Sequence, residues 1–172
     1  MFVNRLFSAI GYKVVWLVGV FENKINIPYL ALLFSIMYFC GHIYTSNHRF
    51  RSALYVLTMT ISGLLTERLL FQTWVYSFTA NHSFFNFPTW LIAMWIAFPC
   101  MCEVTLNTPL RNKFFTILFG LFACPLPYLA VQKLGLIQFI NQNSLVILSL
   151  SWVFIMITFH IFINYFLKNK HS

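Results

Sequence analysis

The residues able to do chemistry are few, and they sit where water is scarce. Inside long apolar runs the ionisable side chains are Lys13, Glu67, Arg68 and Glu103, accompanied by the neutral polar groups His42, Gln72, Asn107, His160 and Asn164. An ionised group at the centre of a bilayer costs about 2.5 to 3.5 kcal/mol on insertion scales, so each needs a partner or a task. Glu103 and Asn107 are four apart, as are His160 and Asn164, a spacing that puts each pair on one helix face. Pro99 lies four before Glu103 and cannot donate to the carbonyl of Trp95, which leaves the backbone near the acid loosened and polar. Together these groups suggest a polar pocket in which Glu103 accepts a proton or pairs with a cation, with His42 or His160 as its titratable neighbour. The plainer alternative is that they pair across helices or reach the headgroups and hold a bundle together. Glu67 and Arg68 are adjacent, hence about 100° apart around a helix, and do not face one narrow site. One of them can pair with Lys13, and Arg68 is placed to reach outward.

Other chemistries are poorly served. Cys100 and Cys102 are two apart and point to nearly opposite helix faces, as do Cys40 and His42, so neither pair chelates an ion and no metal is expected. The four cysteines all lie in apolar segments, where a thiol behaves as a small hydrophobe. The chain has no Asp, P-loop, dinucleotide-binding glycine pattern, HExxH or nucleophile elbow, and no cofactor is expected.

The elements that must position these groups follow from composition. Of 172 residues 60% are hydrophobic and only 8% charged, with a mean hydropathy of +0.77. A soluble domain carries roughly 25% charged residues, so water is the wrong solvent. Runs 25–48, 69–102 and 134–167 hold no Lys, Arg, Asp or Glu, and each exceeds the roughly 20 residues that cross a hydrocarbon core. This composition excludes a soluble enzyme, a disulfide-stapled secreted module and a disordered basic tail. Span ends placed at charges and at Pro, Asn and Gly clusters predict six helices, at residues 3–21, 27–44, 53–76, 89–107, 114–136 and 144–166. The expected fold is an all-α integral membrane bundle of about six transmembrane helices, a single domain over residues 1–172. A membrane β-barrel is disfavoured because the apolar runs do not alternate.

Six spans place Arg5, Arg49, Arg51, Arg111, Lys113, Lys168 and Lys170 on one side and Lys24 and Lys133 on the other, so both termini are expected in the cytoplasm. The net charge of +8 is thus read as a topology signal, and no nucleic-acid partner is expected. The first segment reads as a retained anchor, a signal peptide being the alternative. The outer connector at 77–88 contains Phe78, Phe84, Phe85 and Phe87 and is expected at headgroup level, where Asn81-His82-Ser83 formally fits a glycosylation acceptor. In the fifth helix, Pro125 and Pro127 free the carbonyls of Leu121 and Ala123. That predicts a break, of the kind transporters use at binding sites or of the kind that only shapes packing.

The order of motifs then resembles a family. Gly63-x-x-x-Glu67-x-Leu69-Leu70, Trp90-x4-Trp95-x-x-Phe98, Thr105-Leu106-Asn107-x-x-Leu110 and Gly120-x4-Pro125-Leu126-x-Tyr128-x-Ala130, ending in Leu134-Gly135, are similar to the bacterial family 2878 of domains of unknown function. Asn4, Gly11 and Gly19 extend the likeness to the amino end. The family generally has Asp where Glu67 stands, Gly at Cys124 and Val131, Trp at Tyr12 and Ser at Pro109. Losing two glycines implies relaxed helix approach near the prolines. Glu103 matches no family motif position, so the resemblance promotes Glu67, Asn107, Pro125 and Tyr128 as a lipid-level polar pocket, with His42, Glu103 and His160 as further candidates.

The resemblance implies a small bacterial inner-membrane protein with no assigned reaction, whose relatives neighbour genes for fatty-acid-modifying and methyltransferase-like enzymes. The expected function is an accessory role in membrane-lipid modification or envelope stress response. The alternatives are a small proton- or solute-coupled transporter and a non-catalytic membrane scaffold. No catalytic motif argues for an enzyme. Membrane lipids are the expected partners, with a second copy of the chain as a candidate.

Overall fold

A computed structural model describes residues 2–25, 27–79, 83–84 and 87–166. Asn81 and His82 of the glycosylation acceptor, Phe85 of the aromatic connector, and Lys168 and Lys170 of the charge count lie outside them. The chain divides into two compact units, one of Met1–Ile61 and Ala80–Leu106, the other of Ser62–Thr79 and Asn107–Ser172.

The first unit is built from α1 (Phe2–Ile25), α2 (Leu30–Thr45), the first part of α3 (Arg49–Gln72) and α4 (Thr89–Val104). On α1 the buried positions Ser8, Tyr12, Val15, Gly19 and Glu22 recur every three or four residues, which is one stripe of a helix. That stripe packs on α2 and α4. Its glycines mark close approaches: a Cβ on Gly11 would stand 2.6 Å from the Tyr38 ring, and one on Gly19 3.1 Å from the Trp90 Cβ. In contrast α4 is apolar all round and buried nearly all round, with Trp90, Leu91, Ala93, Trp95, Ala97, Phe98, Cys100 and Cys102 all in the core.

Pro99 sits within α4 without ending it. The Trp95 carbonyl that the proline leaves without its helical donor accepts the Thr60 hydroxyl of α3 at 2.8 Å. A hydroxyl from a neighbouring helix thus satisfies the acceptor that an apolar medium would leave bare.

The second unit holds the end of α3, then α5 (Asn107–Leu110), α6 (Lys113–Leu118), a π-helical turn (Phe119–Ala123), α7 (Leu126–Lys133) and α8 (Ser144–Phe166). Asn112 caps α6 by accepting from the N–H groups of Phe114 and Phe115. The backbone stays helical through Cys124 and Pro125, so Lys113–Lys133 is one helical path of 21 residues. Where a break was expected, the path widens by one residue per turn, with Cys124 N–H donating to the Phe119 carbonyl. That extra residue makes room for a ring that an α-turn would press against a carbonyl. Approach is close just ahead of the prolines: a Cβ on Gly120 would lie 3.0 Å from the Trp152 carbonyl oxygen and the Val153 Cα of α8.

Several boundaries differ from the sequence reading by three or four residues, and two of them move candidate site residues. The third helix ends at Gln72 instead of Tyr76, and the fourth at Val104 instead of Asn107. The ends of α3 and α7 are closed the same way. Val75 N–H reaches back to the Leu70 carbonyl and Leu136 N–H to that of Val131, with Trp74 (φ 59°) and Gly135 (φ 75°) in the left-handed conformation between. This is the Schellman closure, which glycine adopts freely and tryptophan does not. Both caps release short strands, β1 (Tyr76–Phe78) and, further along the chain, β4 (Ile137–Phe139), which pair antiparallel with Tyr76 opposite Phe139. Between them in sequence, β2 (Ser83–Phe84) and β3 (Phe87–Pro88) form a small ladder in the first unit.

By length and composition three helices can cross a membrane, Arg49–Gln72, Lys113–Lys133 and Ser144–Asn164, and Leu30–Thr45 and Thr89–Val104 are shorter apolar helices. The chain is therefore all-α in class with membrane-length helices.

Candidate functional site

The chain owns three acidic side chains, and all three are buried: Glu22 is 0% exposed, Glu67 1% and Glu103 8%. Each is met by hydrogen-bond donors from other elements, as a carboxylate away from water requires.

Glu67 lies on α3, on the same buried stripe as Ser52, Tyr55, Val56, Met59, Thr60, Gly63 and Leu70. Its two oxygens each accept a phenol: Tyr76 of β1 donates to Oε2 and Tyr128 of α7 to Oε1. The tyrosine rings lie 6.0 Å apart, and Trp152 of α8 meets Tyr128 edge-on at 6.1 Å. Charge-assisted hydrogen bonds of this kind are about twice as strong as neutral ones. One acid therefore ties three segments of the second unit.

Glu103, in the last turn of α4, is held differently. Its Oε2 meets His42 Nε2 of α2 at 2.9 Å, and its Oε1 accepts the Ser52 hydroxyl of α3 at 2.7 Å. Ser52 Oγ is in turn 2.7 Å from Ser46 Oγ, which accepts the His48 N–H. Of the two histidines open as its neighbour, His42 takes the place. His160 belongs to the second unit, where it bonds the Leu110 carbonyl at 2.7 Å and Asn164, four residues on, closes over it.

Glu22 was not singled out by sequence because it falls just past the predicted end of the first span. It accepts the Ala31 N–H at 2.8 Å in the first turn of α2, and the hydroxyl of Thr89, the first residue of α4. A carboxylate against two helix N-termini meets unpaired donors and the positive end of each helix dipole. The signal that could have found it is the acid count: where only three exist, the third merits the same attention as the others.

Of the expected pocket, Glu67 and Tyr128 come together, joined by Tyr76, which sequence missed because it was placed in a helix. Pro125 is buried at the start of α7. Asn107 instead opens α5, where its side chain accepts from Arg111 at 3.2 Å in an exposed setting, and it shares no helix with Glu103. Lys13 is exposed beside Trp16, and Arg68 lies over the Phe71 ring. Among the described residues no three His, Cys or Glu side chains gather as metal ligands would.

Three helices long and apolar enough to cross a membrane, one of them carrying the buried Glu67, define a helical membrane-type protein. The chain belongs to the family described as protein of unknown function DUF2878, whose model matches residues 5–158, a stretch that includes all three acids. No curated protein and no solved structure matches it.

Proposed function

We infer that the chain crosses a bacterial inner membrane six times, with both ends cytoplasmic, and serves there as an accessory to membrane-lipid modification or the envelope stress response. Three helices of membrane length and two shorter apolar ones support the bundle, and the excess of Arg and Lys on alternate connectors supports its orientation. The lipid assignment draws on the family resemblance and on a surface rich in exposed Leu, Ile and Phe, which suits acyl chains. One observation carries the accessory role: each acid is engaged with groups of the chain itself, Glu67 holding two phenols and Glu22 two helix starts. Acids so engaged act as ties that shape a membrane-embedded surface for lipids or for a second copy of the chain.

Deletion of the gene is expected to change the fatty-acid or headgroup profile by lipid mass spectrometry, and Glu67→Gln is expected to restore it if the protein inserts. An unchanged profile under oxidative and envelope stress would reject the lipid role.

The pairing of Glu103 with His42 favours a second reading, a small proton- or solute-coupled transporter. On that reading, reconstituted protein moves solute in response to a proton gradient and His42→Gln stops it; no flux across a broad metabolite panel would dismiss it.

A further inference from the structure

Hydroxyl groups lead from the buried Glu103 to the connector between α2 and α3, and their direction is fixed by proton counting. Ser52 has one hydroxyl proton and gives it to Glu103 Oε1. In the bond between the two serines Ser46 must therefore be the donor. Ser46 Oγ accepts the backbone N–H of His48. Ser52 is buried, Ser46 half-buried, and Asn47 and His48 are exposed. The two serine hydroxyls thus point inward in series, from the connector to the carboxylate.

We propose that Glu103 is a proton-binding site loaded from the aqueous side of this connector through Ser46 and Ser52, with the His42 imidazole hydrogen-bonded to the other carboxylate oxygen. In the loading step hydronium gives a proton to Ser46 Oγ, Ser46 passes its own to Ser52 Oγ, and Ser52 passes its own to Glu103 Oε1. Each serine breaks one O–H bond as it forms another. One proton leaves the water, one carboxyl O–H bond is made, and the hydrogen bonds of the chain reverse direction. No other reactant is needed. A buried acid that exchanges protons in this way can change charge without admitting water or a solute.

The groups around the pair are set by the packed elements. Cys100 and Cys102 share α4 with Glu103, and Tyr55 of α3 lies within electrostatic range of the acid. From α2 come His42 and, near the two thiols, Tyr38. From α1 the Arg5 carbonyl accepts the Thr105 hydroxyl just beyond α4. His48, Arg49 and Arg51 are exposed on and after the connector, where the positive charge of the two arginines is next to the entry point. By contrast Glu67 is closed by two phenols and Glu22 by helix ends, so Glu103 alone among the three has this described serine pair leading to exposed residues.

The inference rests on neither functional reading above, and its test reads a proton, not lipids or flux. Because the chain has three Glu and no Asp, carboxyl-labelled glutamate gives an infrared spectrum with three side-chain signals, and Glu103→Gln identifies the one that matters. In full-length protein in nanodiscs, an acid jump is expected to raise the protonated-carboxyl band of Glu103. Ser52→Ala is expected to slow that rise by about tenfold or more, while Ser35→Ala, on α2 but off the path, leaves it at the wild-type rate. Ser46→Ala, at a half-buried connector position, carries the same expectation where Ser52→Ala does not insert stably. Wild-type rates in the serine variants would overturn the path, and a Glu103 signal unmoved by pH would overturn the site.

Discussion

Glu103 and Glu67 are buried to similar depth, yet different chemistry stabilises them. Glu103 has an imidazole on one oxygen and a serine on the other, so its partner can itself carry charge. Glu67 has a phenol on each oxygen, groups that stay neutral near pH 7 and donate to a charge without cancelling it. The first arrangement can exchange a proton with its surroundings, and the second fastens segments. The difference follows from where each acid lies. Glu103 ends α4 beside an exposed connector, whereas Glu67 is met by the first residue of β1 and by α7.

The largest effect expected from breaking this contrast is at the pairing of Glu103 with His42. His42→Leu leaves a buried carboxylate without its base and is expected to lower stability in detergent by about 3 to 5 kcal/mol, measured by denaturant titration. A loss under 1 kcal/mol would mean that the acid reaches water. Next comes the phenol site: Tyr128→Phe removes one charge-assisted hydrogen bond from Glu67, for a loss of about 1.5 to 3 kcal/mol, with Tyr76→Phe similar and the pair non-additive. If these changes cost nothing, Glu67 is not the tie described.

A smaller effect is expected at the proline. Thr60→Val leaves the Trp95 carbonyl without its donor and is expected to cost about 1 kcal/mol. In a Pro99→Ala background, which supplies a backbone donor to that carbonyl, the same change is expected to be nearly neutral. Equal costs in both backgrounds would refute the substitution of hydroxyl for amide. The smallest effect is a gain. Trp74→Gly relieves a left-handed tryptophan and is expected to stabilise by about 1 kcal/mol, seen as a higher unfolding midpoint. Because Trp74 is 70% exposed, little packing is lost.

Much of this was legible in the chain. Apolar run lengths specify the helical class, the motif order specifies the family, and Pro99 by its position marks the Trp95 carbonyl as the one that loses its helical donor. Tyr128 was named beside Glu67, and His42 was one of two histidines offered to Glu103. The partners that escaped are long-range or lie at element ends. Glu103 and His42 are 61 residues apart, and Glu67 and Tyr128 equally so, and nothing in an almost uniformly apolar sequence chooses between such pairings. Tyr76 was lost because Trp74 closes α3 with a backbone conformation that favours glycine, so no stop signal is written there. Asn107 was assigned the face of Glu103 because a helix was extended three residues past its true end.

That the chain keeps all its acidic side chains inside can be tested in one measurement. Folded protein in detergent is treated with a water-soluble carbodiimide and a bulky amine, and modified glutamates are mapped by mass spectrometry, with an unfolded sample as reference. Glu22, Glu67 and Glu103 are expected to stay unmodified when folded and to react once unfolded. Modification of Glu22, Glu67 or Glu103 in the folded protein would contradict the account.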